Sequence, residues 1–260
     1  MQLTNSDRKL FADLDRARTR RESGLFMAEG TKCVLDTLHH FNVSCLCATF
    51  DWLERHSHAL PHSVKPVTVK RADMERMSHL STPPEVLAIY KIPQYDIDEQ
   101  AVASGITLLL DRVQDPGNLG TIMRIADWYG VRQIVCSPET VDVWSPKVVQ
   151  STMGAISRVK CFYTDLPEFI KAHADVPAYG TFLDGGNIYA ASLPTTAMII
   201  MGNEGQGISP EVASCISHRL LIPSYPPGEA TSESLNVGMA TAITLSEFRR
   251  NSLSQHSFNI

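Results

Sequence analysis

ITLLLDRVQDPGNLGTIMRIADWYG, residues 106–130, passes directly from an unbroken apolar run to a turn-rich loop and then to a helical pattern. A run such as Ile106 to Leu110 fits a central parallel strand buried on both faces. Asp111 to Gly117 reads as a loop, and Asn118 to Tyr129 as an amphipathic helix. The alternation continues downstream. Strands are expected at 133–136, 158–162, 178–183, 197–201 and 219–222, and helices at 146–153, 166–173, from Ser209, and at 235–250. This pattern predicts an α/β domain over 106–260 with a mostly parallel sheet. Ligands bind such sheets beyond the carboxyl ends of the strands, which directs attention to the loops after residues 110, 183, 201 and 222.

Working upstream, KIPQYDIDEQAVASG at 91–105 is a seam of proline, acids and small residues, with 96–105 read as a linker. Residues 1–95 hold a second, smaller α/β pattern. It comprises a charged helix over Ser6–Arg21, helices at 31–40, 51–58 and 71–80, and strands at 43–50, 67–69 and 86–92.

The 260 residues are 43% hydrophobic and 20% charged, as in an ordinary soluble globular chain. A net charge of −5 gives no bulk basic field for nucleic acid. A local patch remains: Arg16, Arg18, Arg20, Arg21 and Lys32 form the only dense basic cluster. No run approaches the ~18 apolar residues of a membrane helix, and the polar start is unlike a signal peptide. The expectation is a cytoplasmic protein away from membranes. Six scattered cysteines without a CxxC pair read as free thiols, and Cys45 and Cys47 share a face if they lie in a strand. Nine histidines lack metal spacing, so no metal is implied.

The four loops hold the unusual residues. Gly117 and Gly120 flank Asn118 and permit close backbone approach at a helix start, with Arg124 on the same side as Gly120. TFLDGGN at 181–187 is compatible with a hairpin turn. MGNEGQGIS at 201–209 has its glycines in the order GxxGxG and then a short helix started by Pro210. That is a poor match to the dinucleotide fingerprint GxGxxG opening a long helix. In the last loop Ser232 or Ser234 can cap a helix beginning near Leu235, which Gly238, Ala240 and Ala242 make thin on one side.

Taken together, NxGxxxR at 118–124, GNEGxG at 202–207, and IP followed by SLNVxxA over 222–240 resemble the three ordered motifs of the SpoU family of RNA ribose methyltransferases, in the SPOUT superfamily. RRESGLFMAEG at 20–30 resembles the substrate-binding domain that often precedes it. The resemblance implies a C-terminal trefoil-knotted α/β fold, S-adenosylmethionine as cofactor, and a homodimer. It also implies 2′-O-methylation of RNA, with ribosomal RNA favoured and transfer RNA as the alternative. Knots are rare, and alternation alone leads only to a Rossmann-like sheet. The implied cofactor residues are Thr181, Leu183, Gly185, Gly202, Glu204, Ile222 and Leu235, with Gly202 leaving room for the cofactor against the chain. SYPPGEATSE, 224–233, is a longer, proline-bearing version of the family's loop.

The implied catalytic set is Arg124, Asn118, Glu204, Ser234 and Asn236. A guanidinium is a poor proton acceptor, so Arg124 is read as anchoring phosphate and stabilising the developing 2′-alkoxide. Asn118 braces the loop or Arg124, Glu204 orients Arg124 or the loop, and Ser234 and Asn236 hold the geometry. The basic cluster at 16–32 is read as the RNA contact. A non-catalytic RNA-binding or ribosome-assembly protein is the competing class, and the full motif set argues against it.

Overall fold

The structure is a computed structural model that describes residues 3–226, 229, 232 and 234–254. Two compact units emerge: Met1–Gln94 with Asp142–Arg158, and Tyr95–Val141 with Val159–Ile260. Sequence alternation places the whole stretch from 106 onward in one domain, whereas 142–158 packs with the first unit.

In the first unit the strands are β1 (Leu25–Glu29), β2 (Val43–Ala48), β3 (Val67–Thr68) and β4 (Val86–Lys91). They form a mixed sheet, β1-β4-β2-β3, in which only β2 and β3 run parallel. The helices are α1 (Asn5–Ala12), α2 (Ala17–Ser23), α3 (Thr31–Thr37), α4 (Phe50–His56) and α5 (Arg71–Met77). The single charged helix expected over 6–21 is two helices, because Asp13–Asp15 forms a 3-10 turn that buries Leu14. Leu14 joins Phe11, Met27, Met74, Met77 and Leu87 in the core. Cys45 and Cys47 point into that core with sulfurs 3.6 Å apart, as the two-residue period requires.

At the end of β1 Glu29 is buried and engaged. Its carboxylate accepts from Ser78 Oγ (2.5 Å) and from the His79 N–H (3.1 Å). His79 Nε2 sits 2.8 Å from the Ala12 carbonyl, and its Nδ1 lies 3.4 Å from Glu29. The Glu29 carboxylate, aided by the Ala12 carbonyl, raises the imidazole above the ordinary histidine value of 6.5 against the effect of burial. A raised folded value favours the native state below the unfolded value, and that stabilisation is lost as pH rises through the folded value. Urea midpoints should therefore fall between pH 6 and pH 8.5 in the wild type. In His79→Gln the fall should shrink; an identical fall in both proteins would remove His79 as its source.

The second unit begins at Tyr95 and takes in the whole of the expected linker, 96–105. Asp98 caps α6 (Glu99–Ser104), Val102 is buried, and Gln133 brackets the Asp98 backbone with both halves of its amide (3.1 Å each). The six strands are β5 (Ile106–Leu110), β6 (Gln133–Cys136), β7 (Lys160–Tyr163), β8 (Ala178–Asn187), β9 (Ala197–Met201) and β10 (His218–Leu221). They form an entirely parallel sheet, β10-β8-β9-β5-β6-β7. Leu109, Val135, Met198 and Ile200 face one core with α9 (Leu166–Ala172), while the alternate residues Leu108, Ile134 and Ile199 are buried as well. Burial on both faces explains why these strands read as unbroken apolar runs.

TFLDGGN is no hairpin. It completes the ten-residue β8, which stays paired with β10 through a register shift at Arg219/Leu220. The remaining helices are α7 (Pro116–Trp128), α8 (Pro146–Ser151, in the first unit), α10 (Pro210–Ala213) and α11 (Val237–Ser254). α11 packs on α7, where a Cβ at Gly238 would lie 3.1 Å from Thr121 Cγ2. The narrow side of α11 at Gly238 is thus used within the chain. Among the described residues no helix is long and apolar enough to cross a membrane.

Candidate active site

β5 delivers the chain to Asp115, whose side chain accepts the Asn118 N–H at 2.8 Å, with Pro116 in the first turn. That cap starts α7 two residues before the expected Asn118 and places Asn118 in its first turn. From there Asn118 Nδ2 donates to Glu204 Oε1 at 2.6 Å, and Asn118 Oδ1 accepts from Asn236 Nδ2 at 2.9 Å. Asn236 Oδ1 in turn accepts the N–H groups of Gly238 (2.9 Å) and Met239 (3.3 Å). Asn236 therefore caps α11, the task the sequence offers to Ser232 or Ser234. Three motifs, the first and last of whose residues stand 118 positions apart, meet in one hydrogen-bonded chain, Glu204–Asn118–Asn236.

The Gly202–Gly207 loop closes on itself. Asn203 and Gly207 exchange backbone hydrogen bonds (3.0 and 2.9 Å), and Asn203 Oδ1 accepts from the N–H groups of Gly205 and Gln206. A Cβ on Gly202 would lie 2.3 Å from the Gly207 carbonyl carbon and 2.4 Å from the Ile208 nitrogen. Glycine is required there by the loop's own backbone. Valine at 202 would deform the loop before it met any ligand.

A cavity of about 690 Å³ opens at these loops, lined by 181–183, 201–208, 221–222, Ser234, Leu235, Val237 and Ala240. Thr181, Leu183, Gly202, Glu204, Ile222 and Leu235 are among its walls, and Gly185 is not. Gly185 instead accommodates β10, since its Cβ would fall 2.4 Å from the Leu220 carbonyl carbon. Phe182, Asn203, Gln206, Ile208 and Val237 also line the cavity. The apolar ones, Phe182, Ile208 and Val237, look like core at a strand or helix end, and Asn203 and Gln206 look like ordinary polar loop residues. Among the described residues Glu204 is the only charged side chain in the lining. In the 223–233 loop, Pro227, Gly228, Ala230, Thr231 and Glu233 lie outside the described residues.

Arg124, six residues beyond Asn118 on α7, is exposed, and no hydrogen bond or ion pair engages it among the described residues. Glu204 engages Asn118 rather than orienting Arg124. The expected RNA cluster divides. Arg16, Arg18 and Lys32 are exposed and paired with Asp13, Glu22 and Asp36, and Arg21 is exposed. Arg20 is 2% exposed and binds Asp142 and the Leu14 and Asp15 carbonyls, so it cannot meet a nucleic acid.

A parallel sheet with a loop-walled cavity at its strand ends has the form of a ligand-binding α/β protein. Residues 105–246 match the SpoU rRNA methylase family, and residues 5–88 match the MRM3-like substrate-binding domain. The chain belongs to the SpoU rRNA methylase family. It is 33% identical over 177 residues to the 23S rRNA guanosine 2′-O-methyltransferase RlmP of Bacillus subtilis, covering 66% of this chain and 68% of that protein. A solved protein of the TrmH family from Porphyromonas gingivalis superposes with a TM-score of 0.85 at 39% identity, covering 96% and 99% of the two chains. The AdoMet-bound rRNA methyltransferase of Sinorhizobium meliloti gives 0.83 at 27% identity, covering 96% and 98%.

Proposed function

We propose that this protein transfers the methyl group of S-adenosylmethionine to a ribose 2′-hydroxyl of RNA, with ribosomal RNA the favoured substrate. The observation that carries the reading is the Glu204–Asn118–Asn236 chain at the cavity, with Arg124 unpaired on the same helix. The cavity suits the cofactor. Its volume lies within the ~300–1,000 Å³ of small-molecule sites. Its glycine-rich 202–207 wall offers backbone groups, and Glu204 alone among the described lining residues is charged, which suits a ligand of net positive charge. Thr181, Leu183, Gly202, Ile222 and Leu235 would hold it. When bound, it supplies a methyl group on a sulfonium, already a good leaving group.

The chain's own residues have a positioning and electrostatic task. Asn118 and Asn236 fix the loops against each other, and Arg124 presents five N–H donors to an RNA phosphate and to the oxygen that gains charge. Ser234 faces the same cavity and helps hold the substrate oxygen. A calorimetric titration with S-adenosylmethionine, followed by mapping of ribose methylation in RNA from cells lacking the protein, tests the reading. Lack of cofactor binding would turn it toward a non-catalytic RNA-binding protein.

In the same proposal the N-terminal unit recognises RNA through Arg16, Arg18, Arg21 and Lys32. Neutralising these four, and sparing Arg20, should flatten the salt dependence of binding. The knotted course of the second unit belongs to the proposal too, supported by the match of residues 105–246 to the SpoU family. So does a homodimer through that unit, supported by the exposure of Met239 (56%) on α11 and Trp128 (86%) at the end of α7. Sedimentation at micromolar concentration should give twice the 28.7 kDa chain mass, and Met239→Glu should shift it toward monomer. A wild-type monomer at that concentration would end the dimer proposal.

A further inference from the structure

Arg112 is one of two non-glycine residues with positive φ among the described residues, at 57°. The left-handed region is unfavourable for a residue with a Cβ, and such strain persists only where the surroundings over-determine it. Here they do. The Arg112 N–H donates to Ser137 Oγ at 3.0 Å, and its carbonyl accepts from Asn203 Nδ2 at 2.9 Å. Its Nη1 donates to Gln206 Oε1 at 3.1 Å. Its Nε lies 3.4 Å from Asp111 Oδ1, and the other Asp111 oxygen accepts the Ser209 N–H at 2.6 Å.

Asn203 and Gln206 are both walls of the cavity. The 202–207 loop is therefore held at two points by the segment that follows β5: by Asn118 at Glu204, and by Arg112 at Asn203 and Gln206. Glycine would adopt this φ without strain and keep the carbonyl contact. The part that arginine alone adds is the guanidinium between Asp111 and Gln206.

We infer that Arg112 is a positioning residue that presets the 202–207 loop through the Gln206 side chain, so that the cavity's backbone wall is formed before the cofactor arrives. The inference rests on the cofactor reading above for its functional consequence. Holding a loop in its bound conformation lowers the ordering cost of binding and so shows in affinity more than in the chemical step.

The test uses the full chain, with Arg112→Gly and Gln206→Ala. In Arg112→Gly the dissociation constant for S-adenosylmethionine should rise about tenfold, the equivalent of one lost hydrogen bond to a charged group. The single-turnover rate at saturating cofactor should change much less. Gln206→Ala should weaken binding similarly, and the double variant should be no worse than either alone. Without ligand, hydrogen exchange at the amides of 203–207 should be faster in both variants. Unchanged affinity and unchanged exchange in Arg112→Gly would overturn the inference. If the wild type bound no cofactor while exchange still accelerated, the functional reading would fail and the loop-positioning role would stand.

Discussion

Arg124→Ala should lower the single-turnover methyl-transfer rate by about 100–1,000-fold, the loss typical of removing a donor to a developing oxyanion. The structure sharpens this expectation. Arg124 is exposed and has no hydrogen-bond or ion-pair partner among the described residues, so its removal breaks no internal contact. A surface substitution of that kind changes stability by less than about 0.5 kcal/mol. It is also absent from the cavity lining, so cofactor affinity should stay near wild type. Rate is then the one quantity that moves. Arg124→Lys keeps the charge but loses the planar fork of donors, and it should restore little. A near-wild-type rate for Arg124→Ala with saturating RNA and cofactor would refute the assignment.

Arg20→Ala should have the largest effect on stability. The guanidinium is almost entirely buried, with Nε and Nη2 on Asp142 Oδ2 (2.9 and 2.5 Å) and Nη1 on the Leu14 and Asp15 carbonyls (2.7 and 2.8 Å). Removing one partner of a buried ion pair costs about 3–5 kcal/mol, mostly through the groups left unpaired. Asp142 keeps a third of its side chain in water, so the low end of that range, about 3 kcal/mol, is expected. The exposed pair Arg18–Glu22 supplies the contrast: Arg18→Ala should cost under about 1 kcal/mol. Urea unfolding of the first unit measures both. Equal, small losses would show that the buried tie between α2 and residue 142 contributes nothing. Adding Asp142→Leu to Arg20→Met should recover part of the loss, because the orphaned charge goes with it.

The family was legible in the chain because its motifs are local patterns, and the cofactor came with that resemblance. The run Ile106–Leu110 is apolar throughout since both faces of its sheet are covered, and Asp115-Pro116 writes a helix start in two residues. Glycine spacing in 202–207 reflects a backbone crowded to 2.3 Å from any added Cβ, a constraint that leaves its mark on residue type. Asn118, Glu204 and Asn236 were likewise selected by motif.

Partnership was not legible, because side-chain direction depends on the packing of segments remote in sequence. Nothing local tells that Glu204 takes the Asn118 amide and leaves Arg124 free, or that Asn236 rather than Ser234 caps α11. Four arginines in six residues look alike as a string. Only the burial of one turn of helix against residue 142 separates Arg20, a strut, from Arg16, Arg18 and Arg21 at the surface. Gly185 reads as room for a ligand and Gly238 as room for another helix or chain; the first admits Leu220 and the second Thr121 of the same unit. A sequence records that space is needed at a position; the tertiary structure decides what fills it.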